Sequence, residues 1–308
     1  WSSDVCSSDL RIFGLSFRGA IFSNITRDHL DFHETFDSYI KAKKGFFDAL
    51  PKTAFALTNV DDKRGTVMLQ NTKAQKYSYG ILESADFKAK IKANVLSGLQ
   101  LELDGNEIHA QLIGQFNAYN LLAIYATAIL LGEDKEEVLI ALSALKTAPG
   151  RFEQMHGPDQ KMAIVDYAHT PDALENVLKT IQAIRQKHQR IITVVGCGGN
   201  RDTGKRPIMA ALAAQYSDQV VLTSDNPRFE DPELILDQMQ AGISAADESK
   251  VIRISDRKHA IVEAIQQLAK SGDIVLVAGK GHETYQDIQG VKHDFDDKQV
   301  ISDAFSKV

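Results

Sequence analysis

Asp225-Asn226-Pro227-Arg228 follows the apolar run Val220-Val221-Leu222-Thr223, where a parallel strand would end. Two hydrogen-bonding side chains, a ring that fixes φ and an always-charged guanidinium make a stiff mount for an arginine that grips a carboxylate with paired N–H donors. An ordinary Asn-Pro turn would use the same residues. Three other apolar runs in this half of the chain enter equally polar loops. Met162 to Val165 leads into Asp166-Tyr167-Ala168-His169-Thr170-Pro171. Ile191 to Val195 leads into Gly196-Cys197-Gly198-Gly199 and on through Arg201 to Arg206. Ile274 to Ala278 leads into Gly279-Lys280-Gly281-His282-Glu283. In doubly wound α/β sheets the loops at strand carboxyl ends hold the ligand, so four such loops favour a binding site over a simple turn.

The first half carries a different chemistry. Thr26-Arg27-Asp28-His29-Leu30-Asp31-Phe32-His33 has the imidazoles and carboxylates of a divalent-cation site, although charged loops usually just face water. From Thr35 onward Phe36, Tyr39, Ile40, Phe46, Phe47 and Leu50 recur mostly at three- and four-residue steps and make one apolar helical stripe. Lys43 lies inside that stripe, Lys44 at its rim and Lys41 on the opposite face. Such a lysine either snorkels to the helix edge or, partly desolvated, reacts as a free amine. Asn117 and Asn120 open a long apolar helix running to Leu131. Three residues apart, they either cap it or meet a purine edge and a phosphate.

The elements that must position these residues follow from pattern and punctuation. Residues 50 to 110 read as short strands, including Lys88 to Val95 and Leu99 to Leu103, with Asp104-Gly105 as a hairpin turn. Helices are expected from Gly114 to Leu131 and from Lys135 to Leu145, and Ala148-Pro149-Gly150 marks a domain boundary. Beyond it strands and helices alternate, with Thr170 as N-cap and Pro171 opening a helix to Lys187, which predicts a doubly wound parallel sheet. Gly196-Cys197-Gly198-Gly199 misses the spacing of a dinucleotide fingerprint. A strand is expected at Ala20 to Asn24. The Ser-Ser-Asp repeats of residues 1–10 fit neither period and read as a linker or non-native segment.

At 308 residues the chain suggests about two domains. A net charge of -6 leaves no basic footprint for nucleic acid. The two cysteines, Cys6 and Cys197, are too few for a disulfide framework. No apolar run reaches spanning length, so membrane insertion is not expected, and a cytoplasmic location is.

Taken in order, Asn24 to His33, Gly150-Arg151-Phe152-Glu153, Asp166 to Pro171, Gly196 to Gly199, Asp225 to Arg228 and Gly279 to Glu283 resemble the motifs of a Mur ligase, and the likeness runs from Arg11 to the C-terminus. The resemblance implies an α/β fold. The carboxyl-terminal part of a central ATPase-type domain would occupy 11–149, and a Rossmann-like doubly wound domain binding the amino acid would occupy 150–308. It also implies an ATP-dependent ligase of peptidoglycan synthesis. Such an enzyme phosphorylates the D-glutamate γ-carboxylate of UDP-N-acetylmuramoyl-L-alanyl-D-glutamate, and meso-diaminopimelate attacks the acyl phosphate, with Mg²⁺ neutralising charge.

By motif position His29 matches a magnesium ligand and Lys43 the lysine carbamylated by CO₂. Asn117, Asn120, Arg151, Asp166 and His169 match nucleotide-contacting positions, with Arg151 near the phosphates and Asp166 at the ribose. Arg201, Asp225, Asn226, Pro227, Arg228, Gly279 and Glu283 match the amino-acid pocket, and Arg11 a muramoyl-substrate contact. Arg228 with Arg201 would grip carboxylates while Glu283 and Asp225 or Asn226 meet an ammonium. Lysine, lacking the distal carboxylate, would leave a buried arginine unpaired.

The family's uridine-nucleotide domain, its phosphate loop and its magnesium-binding glutamate are expected before Arg11, so the chain is expected not to ligate alone. The alternatives are a lysine-adding sister ligase, a part retaining only amino-acid binding, and a folylpolyglutamate synthetase-like enzyme, which the Asp225 to Arg228 loop disfavours.

Overall fold

Short runs of β-branched and aliphatic residues pair in parallel through both halves of the chain. The computed structural model describes residues 14–25 and 35–307 and divides into two units, Trp1–Lys146 and Thr147–Val308. In the first, β1 (Gly19–Phe22), β2 (Phe55–Asn59), β3 (Gln75–Gly80), β4 (Phe87–Val95), β5 (Gly98–Leu103) and β6 (Asn106–Ala110) lie side by side in chain order. Pairing is parallel from β1 to β4 and antiparallel on to β6. The turn expected at Asp104-Gly105 joins β5 to β6, with φ of 44° and 81°, the two left-handed residues of a type I′ hairpin.

The two-residue period of β2 decides which helix each side chain meets. Phe55 and Leu57 pack with the Gln115–Leu131 helix on one face, and Ala56 packs with Tyr39 and Phe47 of the Phe36–Asp48 helix on the other. The Lys135–Ser143 helix, capped by Asp134, ends two residues before the expected Leu145.

The second unit holds β7 (Glu153–His156), β8 (Met162–Asp166), β9 (Ile191–Val195), β10 (Gln219–Leu222), β11 (Val251–Arg253) and β12 (Ile274–Ala278) in the order β11-β10-β9-β12-β8-β7. All but the edge strand β7 are parallel, and β8, β9 and β12 are buried along their whole length, as strands covered on both faces must be. Thr170 caps the Pro171–Ile184 helix through the N–H of Ala173, as its position predicts. That helix stops short of Lys187 because Arg185 turns extended, its guanidinium donating to Asp218 at 2.8 Å.

The helices Pro171–Ile184, Lys205–Tyr216 and Pro232–Gln240 pack in succession on one face of this sheet, and Arg257–Glu263 and Asp297–Phe305 lie on the other. The chain leaving β12 therefore goes to the face opposite to that used by its neighbours β8 and β9. A strand at which the winding reverses opens a crevice at its carboxyl end. Beneath that end Arg257 and Asp297, both without exposed surface, form a two-pronged ion pair at 2.8 and 2.7 Å, and Arg257 also donates to the carbonyl of Ala278. A small hairpin absent from the sequence reading, β13 (Tyr285–Ile288) with β14 (Val291–Asp294), follows the β12 loop. No helix among the described residues is long and apolar enough to cross a membrane.

Candidate functional site

In the second unit the polar loops converge at the carboxyl edge of the sheet. β10 and β12 are not neighbours, since β9 lies between them. Their loops meet because the loop of β9 carries almost no side chains. A methyl group on Gly198 would stand 2.9 Å from the Arg228 guanidinium, and one on Gly199 would collide with the carbonyl of Pro227. The Gly199 N–H instead donates to Asn226 O at 2.9 Å. Buried Arg206 braces the same loop by donating to Gly198 O and to the Glu230 carboxylate. Cys197 is no nucleophile: burial pushes its thiol up to about 12, and its sulfur packs 3.7 Å from that of Met209.

Over this glycine floor Asn226 is held at every polar atom. Its Oδ1 accepts from Lys280 Nζ at 2.9 Å and from the Asp287 N–H at 2.9 Å, and its Nδ2 donates to Glu283 Oε2 at 2.8 Å. Lys280, with no exposed surface, also reaches Glu283 Oε2 at 3.2 Å. The sequence reading missed this lysine. Glu283 Oε1 accepts no hydrogen bond among the described residues. Buried Asp225 turns one oxygen to the Asn226 N–H at 2.7 Å and the other against Gly279, whose φ of 117° and missing Cβ leave it room.

Arg228 adopts a left-handed φ of 51°, uncommon for a residue with a side chain. The hairpin holds it there: its N–H donates to Asp287 O at 3.0 Å and its carbonyl accepts from Gln289 at 2.7 Å. One guanidinium nitrogen donates to Gly199 O at 2.8 Å, and the remaining donors make no hydrogen bond among the described residues. Arg201 is exposed, with its stem near Gly198. The fold thus brings Asp225, Asn226, Pro227, Arg228, Gly279 and Glu283 together, with Arg201 at the rim.

A second group gathers at the end of β8. Asp166 accepts from Phe152 N at 2.7 Å and Ala168 N at 2.8 Å, which ties the Gly150 to Glu153 turn to this strand. Burial raises the Asp166 pKa above the ordinary carboxylate value, against the opposing pull of those two N–H groups and of Arg151. The Arg151 guanidinium lies 4.7 Å from the Tyr167 ring centroid, and His169 and His282 pack against the same ring.

In the first unit Asn117 and Asn120 share a face at the start of their helix, linked at 3.2 Å, with Asn117 donating to Ile113 O at 2.7 Å. Asp61 fixes that start. It accepts from the Tyr119 hydroxyl at 2.7 Å and from the N–H groups of Ile81, Leu82 and Glu83. Nearby, Asn59 and Tyr79 donate to the carbonyls of Ser23 and Phe22. Lys43 is half-buried, one helical turn from each of the buried aromatics Tyr39 and Phe47, with its Nζ 5.1 Å from the Tyr39 ring centroid. Lys44 pairs with Asp48 at 2.6 Å and Lys41 is exposed. His29 and Arg11 lie outside the described residues.

Polar groups collected at strand carboxyl ends of α/β units stand where such folds bind ligands. The chain matches the Mur ligase middle domain over residues 2–128 and the Mur ligase glutamate ligase domain over residues 150–281, and it belongs to the Mur ligase family. It is 60% identical over 293 residues to a UDP-N-acetylmuramoyl-L-alanyl-D-glutamate--2,6-diaminopimelate ligase of Cytophaga hutchinsonii, covering 95% of this chain and 60% of that protein. A ligase of the same name from Phocaeicola vulgatus is 56% identical, with 96% and 61% covered. A solved structure bearing that name superposes with a TM-score of 0.63 at 37% identity over 96% of this chain and 62% of the other. The chain thus spans about three fifths of the length of the relatives it matches.

Burial pushes the Asp61 carboxyl up, but its three backbone N–H donors and Tyr119 outweigh that, and its pKa lies below the ordinary value of 3.8. A depressed pKa contributes stability above the unfolded value and loses it as pH falls through the folded one. Asp61→Asn is therefore expected to lower the unfolding free energy by about 1–3 kcal/mol near neutral pH. The deficit should shrink as pH falls below the ordinary carboxylate value of 3.8, as read by denaturant titrations of both proteins at each pH.

Proposed function

We propose that this chain is part of an ATP-dependent ligase that joins meso-diaminopimelate to the γ-carboxylate of UDP-N-acetylmuramoyl-L-alanyl-D-glutamate. The observation that carries the reading is the pairing, in one loop cluster, of a half-committed guanidinium at Arg228 with an open carboxylate oxygen at Glu283. Those two groups suit a substrate end bearing both a carboxylate and an ammonium. The names of the relatives point the same way.

In this reading the γ-carboxylate takes the terminal phosphoryl group of ATP and ADP leaves. The diaminopimelate amine then attacks the acyl carbon, and loss of phosphate and a proton leaves the amide. Positioning carries most of this chemistry. Asn117 and Asn120 meet the nucleotide, Arg151 the phosphates and Asp166 the ribose, with His169 beside them. Asp166 does so while holding the Arg151 turn, so its loss would disturb both. Arg228 and Arg201 orient the distal carboxylate of diaminopimelate, and Glu283 its ammonium. Arg11 meets the muramoyl substrate.

Magnesium would supply charge neutralisation at the transferring phosphoryl group. Its donors in this reading are His29 and a carbamate on Lys43, the two positions that match the family's motif. The half-buried seat of Lys43 beside Tyr39 supports its choice over exposed Lys41, and the pairing of Lys44 with Asp48 sets that lysine apart.

In the complete ligase Arg228→Lys should weaken diaminopimelate binding by about 2 to 4 kcal/mol, since an ammonium cannot reproduce the planar fork. The apparent Michaelis constant for diaminopimelate should rise and that for the muramoyl dipeptide should not. Equal effects on both would make Arg228 structural.

Lys43→Ala should abolish ligation without loss of fold and regain part of it with added acetate or formate, which return a negative charge to the cavity. Lys41→Ala should stay near wild type, and Lys44→Ala should lose only the about 0.3–0.5 kcal/mol of an i,i+4 helical ion pair. Full activity in Lys43→Ala would remove the carbamate from the account.

A further inference from the structure

Lys280 is the buried cation of the strand-end cluster. Its side chain has no exposed surface, and its Nζ donates to Asn226 Oδ1 at 2.9 Å and to Glu283 Oε2 at 3.2 Å, 5.5 Å from the Tyr285 ring centroid. Asn226 Nδ2 donates to the same Glu283 oxygen. Glu283 therefore keeps one oxygen without a hydrogen bond among the described residues, while the other is already answered by a resident ammonium. The other charges around the pocket are the acids Asp225 and Asp287 and the cations Arg228 and Arg201, while Arg257 beneath them is matched by Asp297.

Without the lysine, Glu283 would present an uncompensated charge beside Asp225 and Asp287. A site of that kind attracts any ammonium and repels a carboxylate brought alongside. With the lysine, the attraction for a bare ammonium is weakened and the carboxylate can settle on Arg228. Electrostatic discrimination between ligands of different net charge works through such balances.

We propose that Lys280 is a specificity-determining residue of the amino-acid pocket: its buried ammonium sets the local charge so that the site takes an amino acid whose far end carries both an ammonium and a carboxylate in preference to one carrying an ammonium alone. Lys280 touches no substrate and acts through Glu283 and Asn226. The inference rests on the amino-acid pocket assigned above.

The test compares amide formation by the complete ligase with meso-diaminopimelate and with lysine, for wild type, Lys280→Met, Lys280→Arg and Arg228→Ala. In Lys280→Met the ratio of kcat/KM for diaminopimelate to that for lysine should fall at least tenfold, through KM rather than kcat, and Lys280→Arg should restore most of it. Lys280→Gln keeps a donor for Asn226 and replaces the methionine variant if that one does not fold. An unchanged ratio, whether both activities fall together or neither falls, overturns the role given to Lys280. Arg228→Ala separates the two claims: if it leaves the KM for diaminopimelate unaltered, the pocket assignment itself fails, whatever Lys280 does.

Discussion

Two strands that are not neighbours in the sheet are joined through one amide. Asn226 at the end of β10 holds Lys280 and Glu283 at the end of β12, and the loop of β9 between them is reduced to glycines so that they can meet. A buried ammonium is tolerated only when its donors are answered. Lys280 thus draws both loops together, and their closure leaves Arg228 and the outer oxygen of Glu283 at the rim. Arg228 needs more than its proline neighbour to be aimed. The β13–β14 hairpin pairs with its backbone and holds a left-handed conformation that a free turn would abandon.

The glycines of Gly196 to Gly199 read differently once the fold is known. Their spacing does not suit a dinucleotide. Their function here is steric: the loops of β9 and β10 need backbone-to-backbone approach, and a Cβ at Gly199 would meet the Pro227 carbonyl. In the first unit a carboxylate does comparable work. Asp61 gathers three N–H groups and a tyrosine hydroxyl and so fixes the helix start that carries Asn117 and Asn120.

What was legible in the sequence was local. Thr170-Pro171 opens a helix and Asp104-Gly105 makes a hairpin because capping and left-handed turns depend on residues a few positions apart. The parallel strands of the second unit stand out because burial on both faces leaves unbroken apolar runs. The β13–β14 hairpin escaped notice because its strands are largely exposed and Gln289-Gly290 replaces the usual Asn-Gly turn. Edge strand β7 has no apolar alternation either. Lys280 and the Arg257–Asp297 pair were invisible for another reason. A lysine between two glycines looks solvated, and partners 40 residues apart become partners only when the sheet is assembled.

The most direct test of the central claim is a crystal structure of the complete ligase with meso-diaminopimelate bound. The account predicts a substrate ammonium within hydrogen-bonding distance of Glu283 Oε1 and a substrate carboxylate on Arg228, with Lys280 still donating to Asn226 and Glu283 Oε2. Diaminopimelate bound without touching Arg228 or Glu283, or Lys280 swung out of the cluster to meet it, would contradict the account.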